Sequence, residues 1–464
     1  MKREFENIYF LGIGGIGMSA LARYFLHEGY RVAGYDLTAT PLTRALESEG
    51  AEVHYEDDVE LIPEVMRDPQ STLVVLTPAI PADHKEWAWL REQGFRIEKR
   101  SQMLGVLSEG KCVMAVAGTH GKTTTSTLAA WLNHAAALEG SAFLGGISRN
   151  FESNLVLGEG RRLVVEADEY DRSFLRLHPD VAVITATDAD HLDIYGTPEA
   201  MVEAFEQFAS QIKSGGALIL KQGVNLKFDA SERMLYRYSC DAGGDFHAEN
   251  IALQEGGYYC YDIVLPDGRI DGCVLGILGK VHIENSIAAV AMLWCAAKVE
   301  GKALDYDRVR EALRNFEGVK RRMEVYINTE EQVYIDDYAH HPEELRATIS
   351  SLRGIFPGRR LVAIFQPHLY TRTRDFAREF AEVLSEADKV IMLPIYPARE
   401  LPLEGVTSEL IGKDITAEWV LVERDSVAEY LKSEQTDVTV SFGAGNIDVV
   451  CGEIAKTLAA KITR

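Results

Sequence analysis

The stretch that most limits how this chain can fold is the apolar run Cys112-Val113-Met114-Ala115-Val116-Ala117, followed at once by Gly118-Thr119-His120-Gly121-Lys122-Thr123-Thr124-Thr125. Six apolar residues suit a strand buried on both faces, and a glycine-bracketed turn ending in Lys and Thr suits a loop that wraps phosphate at a helix start. Strand, tight loop and helix in that order belong to a sheet of parallel strands with crossover helices. In such a loop the backbone amides meet phosphate oxygens, Lys122 reaches the β- and γ-phosphates, and a Thr hydroxyl reaches magnesium. The generic pattern has its first Gly where this chain has Val116.

A second glycine turn, Gly12-Ile13-Gly14-Gly15-Ile16-Gly17, closes the strand-like run at 8–13 and opens a helical stretch beginning with Met18, and Asp36 lies 19 residues beyond Gly17. Glycines admit backbone amides close to a diphosphate, and an acid at that distance can accept hydrogen bonds from a ribose. A nicotinamide-dependent dehydrogenase, another diphosphate ligand and simple close packing all remain open on these residues.

A chain of 464 residues divides into two or three domains rather than one core. Apolar runs at 8–13, 31–36, 51–55, 72–76 and 95–98 alternate with helical stretches, and the restart at 112 sets a boundary near 108. Further strands are expected at 162–166, 180–185 and 217–220. Between about 232 and 278, short alternating runs and the turn Pro266-Asp267-Gly268 predict an antiparallel portion, and a helix follows at about 283–299. The α/β rhythm returns after a boundary near 318, with strands at 333–335, 360–365, 389–393 and 438–442. The expected division is therefore 1–108, 109–318 and 319–464.

Lys plus Arg number 48 against 71 Asp plus Glu, a net charge of −23 that repels a nucleic-acid backbone. No apolar run approaches the roughly 18 residues of a membrane span, no signal segment opens the sequence, and the 6 cysteines form no CxxC pair. These features predict a soluble, cytoplasmic protein with its thiols reduced.

Two acidic clusters end consecutive strands after the phosphate loop: Glu166-Ala167-Asp168-Glu169 and Asp188-Ala189-Asp190-His191. Carboxylates there suit magnesium, and each cluster also reads as a solvated acidic loop. In the last third, Asp336-Asp337-Tyr338-Ala339-His340-His341 and Gln366-Pro367-His368-Leu369-Tyr370-Thr371-Arg372 follow two strands, and Gly443-Ala444-Gly445-Asn446 follows a third. Open α/β sheets bind ligands outside the carboxyl ends of their strands, where all three lie.

In this order the two glycine loops, EADE, DADH, KRRME at 320–324, DDYAHH, QPHLYTRTRD and GAGN resemble the Mur ligases over essentially the whole length. The resemblance implies three α/β domains: a Rossmann-like N-terminal one for a UDP-sugar, a P-loop ATPase-like central one with an antiparallel portion, and a Rossmann-like C-terminal one for an amino acid. It further implies ATP-dependent joining of L-alanine to UDP-N-acetylmuramate through an acyl phosphate, by a monomer or weak homodimer that needs neither nucleic acid nor membrane insertion.

Residue by residue, the resemblance gives Gly12, Gly14, Gly15, Gly17, Met18, Asp36, Arg321 and Arg322 to the UDP-sugar. Gly118, Thr119, His120, Gly121, Lys122, Thr123, Thr124 and Asn285 go to ATP, and Thr123, Glu166 and His191 to Mg2+. Tyr338, His340, His368 and Arg372 go to the amino acid, with Lys122, Glu166, His191 and Arg372 catalytic. Four positions depart from the family pattern: Glu206 replaces a carbamylated lysine, Val281 and His282 replace the first two residues of HNxxN, and Leu369 replaces a basic residue after QPH. Competing readings are a murein tripeptide recycling ligase, an NAD(P)-dependent oxidoreductase and a non-catalytic nucleotide-binding regulator.

Overall fold

Strands whose residues are almost all apolar have no face to give to water, so they assemble side by side between layers of helix. The computed structural model describes residues 5–188, 192–241, 243–398 and 400–462, and it contains three sheets whose central strands are largely of this kind. The first holds β1 (Asn7–Leu11), β2 (Arg31–Tyr35), β3 (Glu52–His54), β4 (Thr72–Leu76) and β5 (Arg96–Lys99), in the order β3-β2-β1-β4-β5 and parallel throughout. Order reverses around β1, so the glycine turn leaves the sheet at its topological switch point.

The second sheet has ten strands: β6 (Cys112–Ala117), β7 (Gly140–Ser148), β8 (Ser153–Val156), β9 (Arg162–Glu166), β10 (Val181–Ile184), β11 (Ala217–Lys221), β12 (Met234–Ser239), β13 (Phe246–Leu253), β14 (Tyr259–Leu265) and β15 (Gly268–Val274). Their order is β15-β14-β13-β12-β11-β10-β6-β9-β7-β8, which sets β6 between β10 and β9. The antiparallel expectation for 232–278 holds only in part. Strand β12 runs parallel to β11 and, over two residue pairs, to β13, whereas β14 and β15 are neighbours joined by Pro266-Asp267, a link short enough only for an antiparallel pair. Helix Val281–Val299 follows, buried all round from Ile287 to Ala297.

The third sheet holds β16 (Glu324–Asn328), β17 (Val333–Asp337), β18 (Leu361–Phe365), β19 (Lys389–Met392), β20 (Glu418–Leu421) and β21 (Val438–Phe442), ordered β16-β17-β21-β18-β19-β20. Only β16 is antiparallel to its neighbour. By packing, the chain forms two compact units: residues 1–249, 262–271 and 284–313, and residues 250–261, 272–283 and 314–464. The first unit thus contains the first sheet and most of the second. Within it, helix Ile16–His27 is pinned against the β7–β8 hairpin by the buried Asn154, whose amide donates to Ser19 Oγ at 2.9 Å and whose carbonyl accepts from Arg23. The described residues include no helix long and apolar enough to cross a membrane.

Candidate active site

The glycine turn follows the fully buried β1 and becomes helix Ile16–His27 with Gly15 as N-cap. Gly12 has φ +88°, and a Cβ there would overlap Thr77. Asp36 directly follows β2, with its carboxylate already engaged: Oδ2 accepts the Gly14 amide at 2.7 Å and Oδ1 accepts the Thr38 amide at 3.3 Å. Its first role is therefore to hold the loop. Met18, read as a sugar-nucleotide contact, is 2% exposed and packs with Ile13 and Leu21 in the core, so its side chain is not available to a ligand.

One cation at this loop escaped the sequence reading. Arg100 opens helix Arg100–Leu107 just after β5; a Cβ on Gly17 would collide with its guanidinium, and its NH2 group lies 3.2 Å from Asp168 Oδ2. The signal was its position at the carboxyl end of a strand, but which strands adjoin β1 is not written in the sequence.

The phosphate loop is built from β6, whose residues are all buried, and helix Lys122–Ala135. Gly118 has φ +128°, and a Cβ would overlap the Thr185 hydroxyl; Gly121 is the N-cap at φ +78°, with Asn285 Oδ1 beside it. Thr119, Thr123 and Thr124 are buried against the loop, while His120 projects outward with Nε2 3.7 Å from Asp188. Lys122 Nζ donates to Gly118 O at 2.6 Å and to Glu169 Oε1 at 2.7 Å. Glu166 ends β9 in register with Val116 of β6, and Gly145 of β7 leaves the space its carboxylate fills.

An amide-lined helix start, a lysine and a Thr–Glu oxygen pair on adjoining elements fit a nucleotide triphosphate with a hard divalent ion. His191 lies outside the described residues. Among the described residues, no three His, Cys, Asp or Glu side chains form a metal cluster.

In the second unit, the order β17-β21-β18 brings the ends of three separate sequence clusters side by side. Gly443 N donates to Asp337 O at 3.3 Å, Gln366 N donates to Phe442 O at 3.0 Å, and Gln366 Nε2 donates to Asn446 Oδ1 at 2.9 Å. Asp336 and Asp337 serve this framework. Asp336 accepts Ser441 Oγ at 2.6 Å and Arg321 Nε at 3.2 Å, and Asp337 accepts the amides of Met323 and Ala339, each at 2.8 Å.

Arg321, read as a sugar-nucleotide residue, is committed inside its own domain, donating to Asp336 and to the carbonyls of Gly443 and Gly445. Arg321 and Arg322 both lie over the Tyr338 ring, at 5.2 and 5.3 Å. His340 meets Tyr338 and His368 edge-on at 5.2 and 6.0 Å, and Arg372 NH1 is 3.3 Å from His368 Nδ1. Burial pushes the His340 pKa down. Burial pushes Glu344 up, but His340 and the amides of His340 and His341 outweigh it and hold the carboxyl low.

Residues 7–111, 116–293 and 321–445 match, in turn, the profiles described as Mur ligase family, catalytic domain; Mur ligase middle domain; and Mur ligase, glutamate ligase domain. The chain belongs to the Mur ligase family. Among similar Mur ligases, the UDP-N-acetylmuramate--L-alanine ligases of Phocaeicola vulgatus and Flavobacterium johnsoniae are 47% and 42% identical, the first covering 97% of this chain and 98% of its own, the second 99% of each. The crystal structure of UDP-N-acetylmuramate-alanine ligase from Thermotoga maritima matches with TM-score 0.81 and 25% identity over 99% of this chain and 100% of that one. A murein peptide ligase from Psychrobacter arcticus shares the fold, with TM-score 0.67 and 22% identity over 98% of each chain.

The departures from the Mur ligase pattern now have surroundings. Glu206 accepts the Lys227 amide at 3.0 Å, and Leu369, at φ +71°, donates its amide to Tyr396 O and N-caps helix Tyr370–Asp375. His282 is buried; loss of water, then the positive Arg322, push its pKa down to about 4. The unfolded chain takes up a proton there below about pH 6.5. Stability tied to neutral His282 is therefore complete above that pH and is lost as pH falls toward about 4, by up to about 3 kcal/mol. His282→Asn, which restores the family residue, is expected to flatten the fall in thermal midpoint between pH 7 and 5; an unchanged fall would assign it to other groups.

Proposed function

We infer that this protein joins L-alanine to UDP-N-acetylmuramate with ATP, forming UDP-N-acetylmuramoyl-L-alanine, ADP and phosphate, an early step in building peptidoglycan. The observation that carries the reading is the meeting of two phosphate-type loops in one compact unit, linked by the Glu166–Glu169 segment: Asp168 pairs with Arg100 beside the first loop, and Glu169 pairs with Lys122 of the second. The alanine-ligase relatives that align over nearly the whole chain supply the substrates. Domain limits of 1–108, 109–318 and 319–464 fit the gaps between the sheets.

A carboxylate is a poor electrophile at neutral pH, so the sugar's carboxylate must become an acyl phosphate before an amine can displace the phosphate. The protein's contribution is position and charge. Gly118 to Thr124 wrap the phosphates, Lys122 offsets charge on the transferring group, and Asn285 borders the loop. Thr123 and Glu166 are the residues that would hold Mg2+, with His191 as a further candidate; the ion neutralises phosphate charge when bound. The Gly12–Gly17 turn and Arg100 receive the UDP diphosphate. Tyr338, His340, His368 and Arg372 select alanine, with the Arg372 fork suited to a carboxylate.

Phosphate release is expected to require ATP, magnesium, UDP-N-acetylmuramate and L-alanine together. Detecting AMP and pyrophosphate would point to adenylate chemistry and overturn the acyl-phosphate route, and a requirement for a tripeptide in place of alanine would favour the recycling relative. Asp36→Ala should raise KM for the sugar nucleotide by about 10- to 100-fold, the value of a charge-assisted hydrogen bond, and leave KM for ATP nearly unchanged. Equal increases in both constants would remove Asp36 from the sugar-nucleotide site.

A further inference from the structure

Glu169 has no part in the roles assigned so far, yet it is only 1% exposed and sits against the phosphate-loop lysine. Its neighbours in the segment point elsewhere, Glu166 into the space left by Gly145 of β7 and Asp168 to Arg100. The Glu169 backbone is fixed as well, since its carbonyl accepts the Tyr195 hydroxyl at 2.6 Å. Burial pushes the Glu169 carboxyl up, and Lys122 draws it back only in part.

A buried carboxylate next to a polyphosphate site is costly, because it repels the ligand that the loop is shaped to receive. A P-loop needs no such partner: backbone amides and the lysine suffice to cradle phosphates. What the carboxylate adds is direction. An ammonium carries three N–H donors, and here two are fixed, one on Gly118 O at 2.6 Å and one on Glu169 Oε1 at 2.7 Å. The tetrahedral geometry of nitrogen then sets where the third points. A flexible four-carbon side chain becomes a donor with a single aim, and preorganised donors of that kind lower barriers to charge transfer.

We propose that Glu169 is a positioning residue for phosphoryl transfer, which stays paired with Lys122 during the reaction and aims its remaining N–H at the transferring γ-phosphoryl group, while weakening ground-state binding of ATP. This rests on assigning the loop at 118–125 to ATP.

The test compares Glu169→Gln and Glu169→Ala in the full-length protein by two measurements. Calorimetry reads the affinity of a non-hydrolysable ATP analogue with magnesium, without sugar or amino acid. Rapid mixing then reads ADP formation in a single turnover with all substrates present. Removal of the negative charge is expected to tighten analogue binding several-fold in both variants. The single-turnover rate is expected to fall about 100-fold in Glu169→Ala, the size of losing one preorganised donor, and about 10-fold in Glu169→Gln, whose amide oxygen can still accept from Lys122.

Tighter binding with an undiminished rate would make the pair a latch of the empty loop and overturn the proposal. Weaker binding in both variants would make Glu169 part of the loop's architecture and overturn it as well. A wild-type protein that binds the analogue but forms no ADP from the stated substrates would count against the alanine-ligase reading, while the sign of the binding change still judges Glu169.

Discussion

Lys122→Ala is expected to lower kcat by about a thousandfold or more, the largest effect of any single change in the first unit. The ammonium is the one group of the loop that brings a full positive charge to the phosphates, and charged clamps on a transferring phosphoryl group contribute about 10³ to 10⁵ in rate. The substitution also leaves the buried Glu169 carboxylate facing the phosphates without its 2.7 Å partner, so ATP affinity should fall too. This contrasts with Glu169→Ala, where affinity is expected to rise. Steady-state ADP release and analogue calorimetry on the same preparation separate the two effects, and a variant retaining a tenth of wild-type kcat would take Lys122 out of the transition state.

Arg321→Ala should produce the largest loss of stability, about 3–5 kcal/mol in the C-terminal unit, the range for orphaning a buried charge. Asp336 is fully buried and, among the described residues, keeps an ionic partner only through Arg321 Nε at 3.2 Å, and the carbonyls of Gly443 and Gly445 lose their donors in the same change. Burial already pushes the Asp336 carboxyl up. Hydrogen exchange of β17 and β21 amides measures the loss locally, which a global melt of a two-unit protein would blur. If protection there were unchanged and only affinity for the sugar nucleotide fell, Arg321 would return to the ligand-binding role that its place in KRRME suggests.

Much of the scaffold was legible because β6 and β18 are continuous apolar runs, and β1 and β4 are so after one polar residue, the pattern of strands covered on both faces. Strand β7 escaped because Gly140, Gly145 and Gly146 interrupt its apolar residues, although Gly145 is what makes room for Glu166. Strand β20 is a short edge strand whose ends are exposed. Motif order located both glycine loops and the three polar strand ends. It could not separate a residue facing a ligand from one facing its own fold, which is why Met18 and Arg321 were read as contacts when their side chains serve packing and internal hydrogen bonds. Arg100 and the Lys122–Glu169 pair depend on which strands are neighbours, a property of the folded sheet rather than of local sequence.

The place of β21 between β17 and β18 also bears on how the protein is made. Translation delivers β17 and β18 well before residues 438–442 exist, and both are strands whose every residue is buried in the finished molecule. Until β21 arrives they have no direct ladder to each other, so each presents an open apolar edge to the cell. All segments of the first unit, which end at residue 313, have been synthesised by then. The nascent chain thus passes through a stage in which the nucleotide-binding half can already be assembled while the C-terminal sheet waits with a gap at its centre. That interval is when chaperone engagement and self-association should be greatest, and it closes by the insertion of a single late strand.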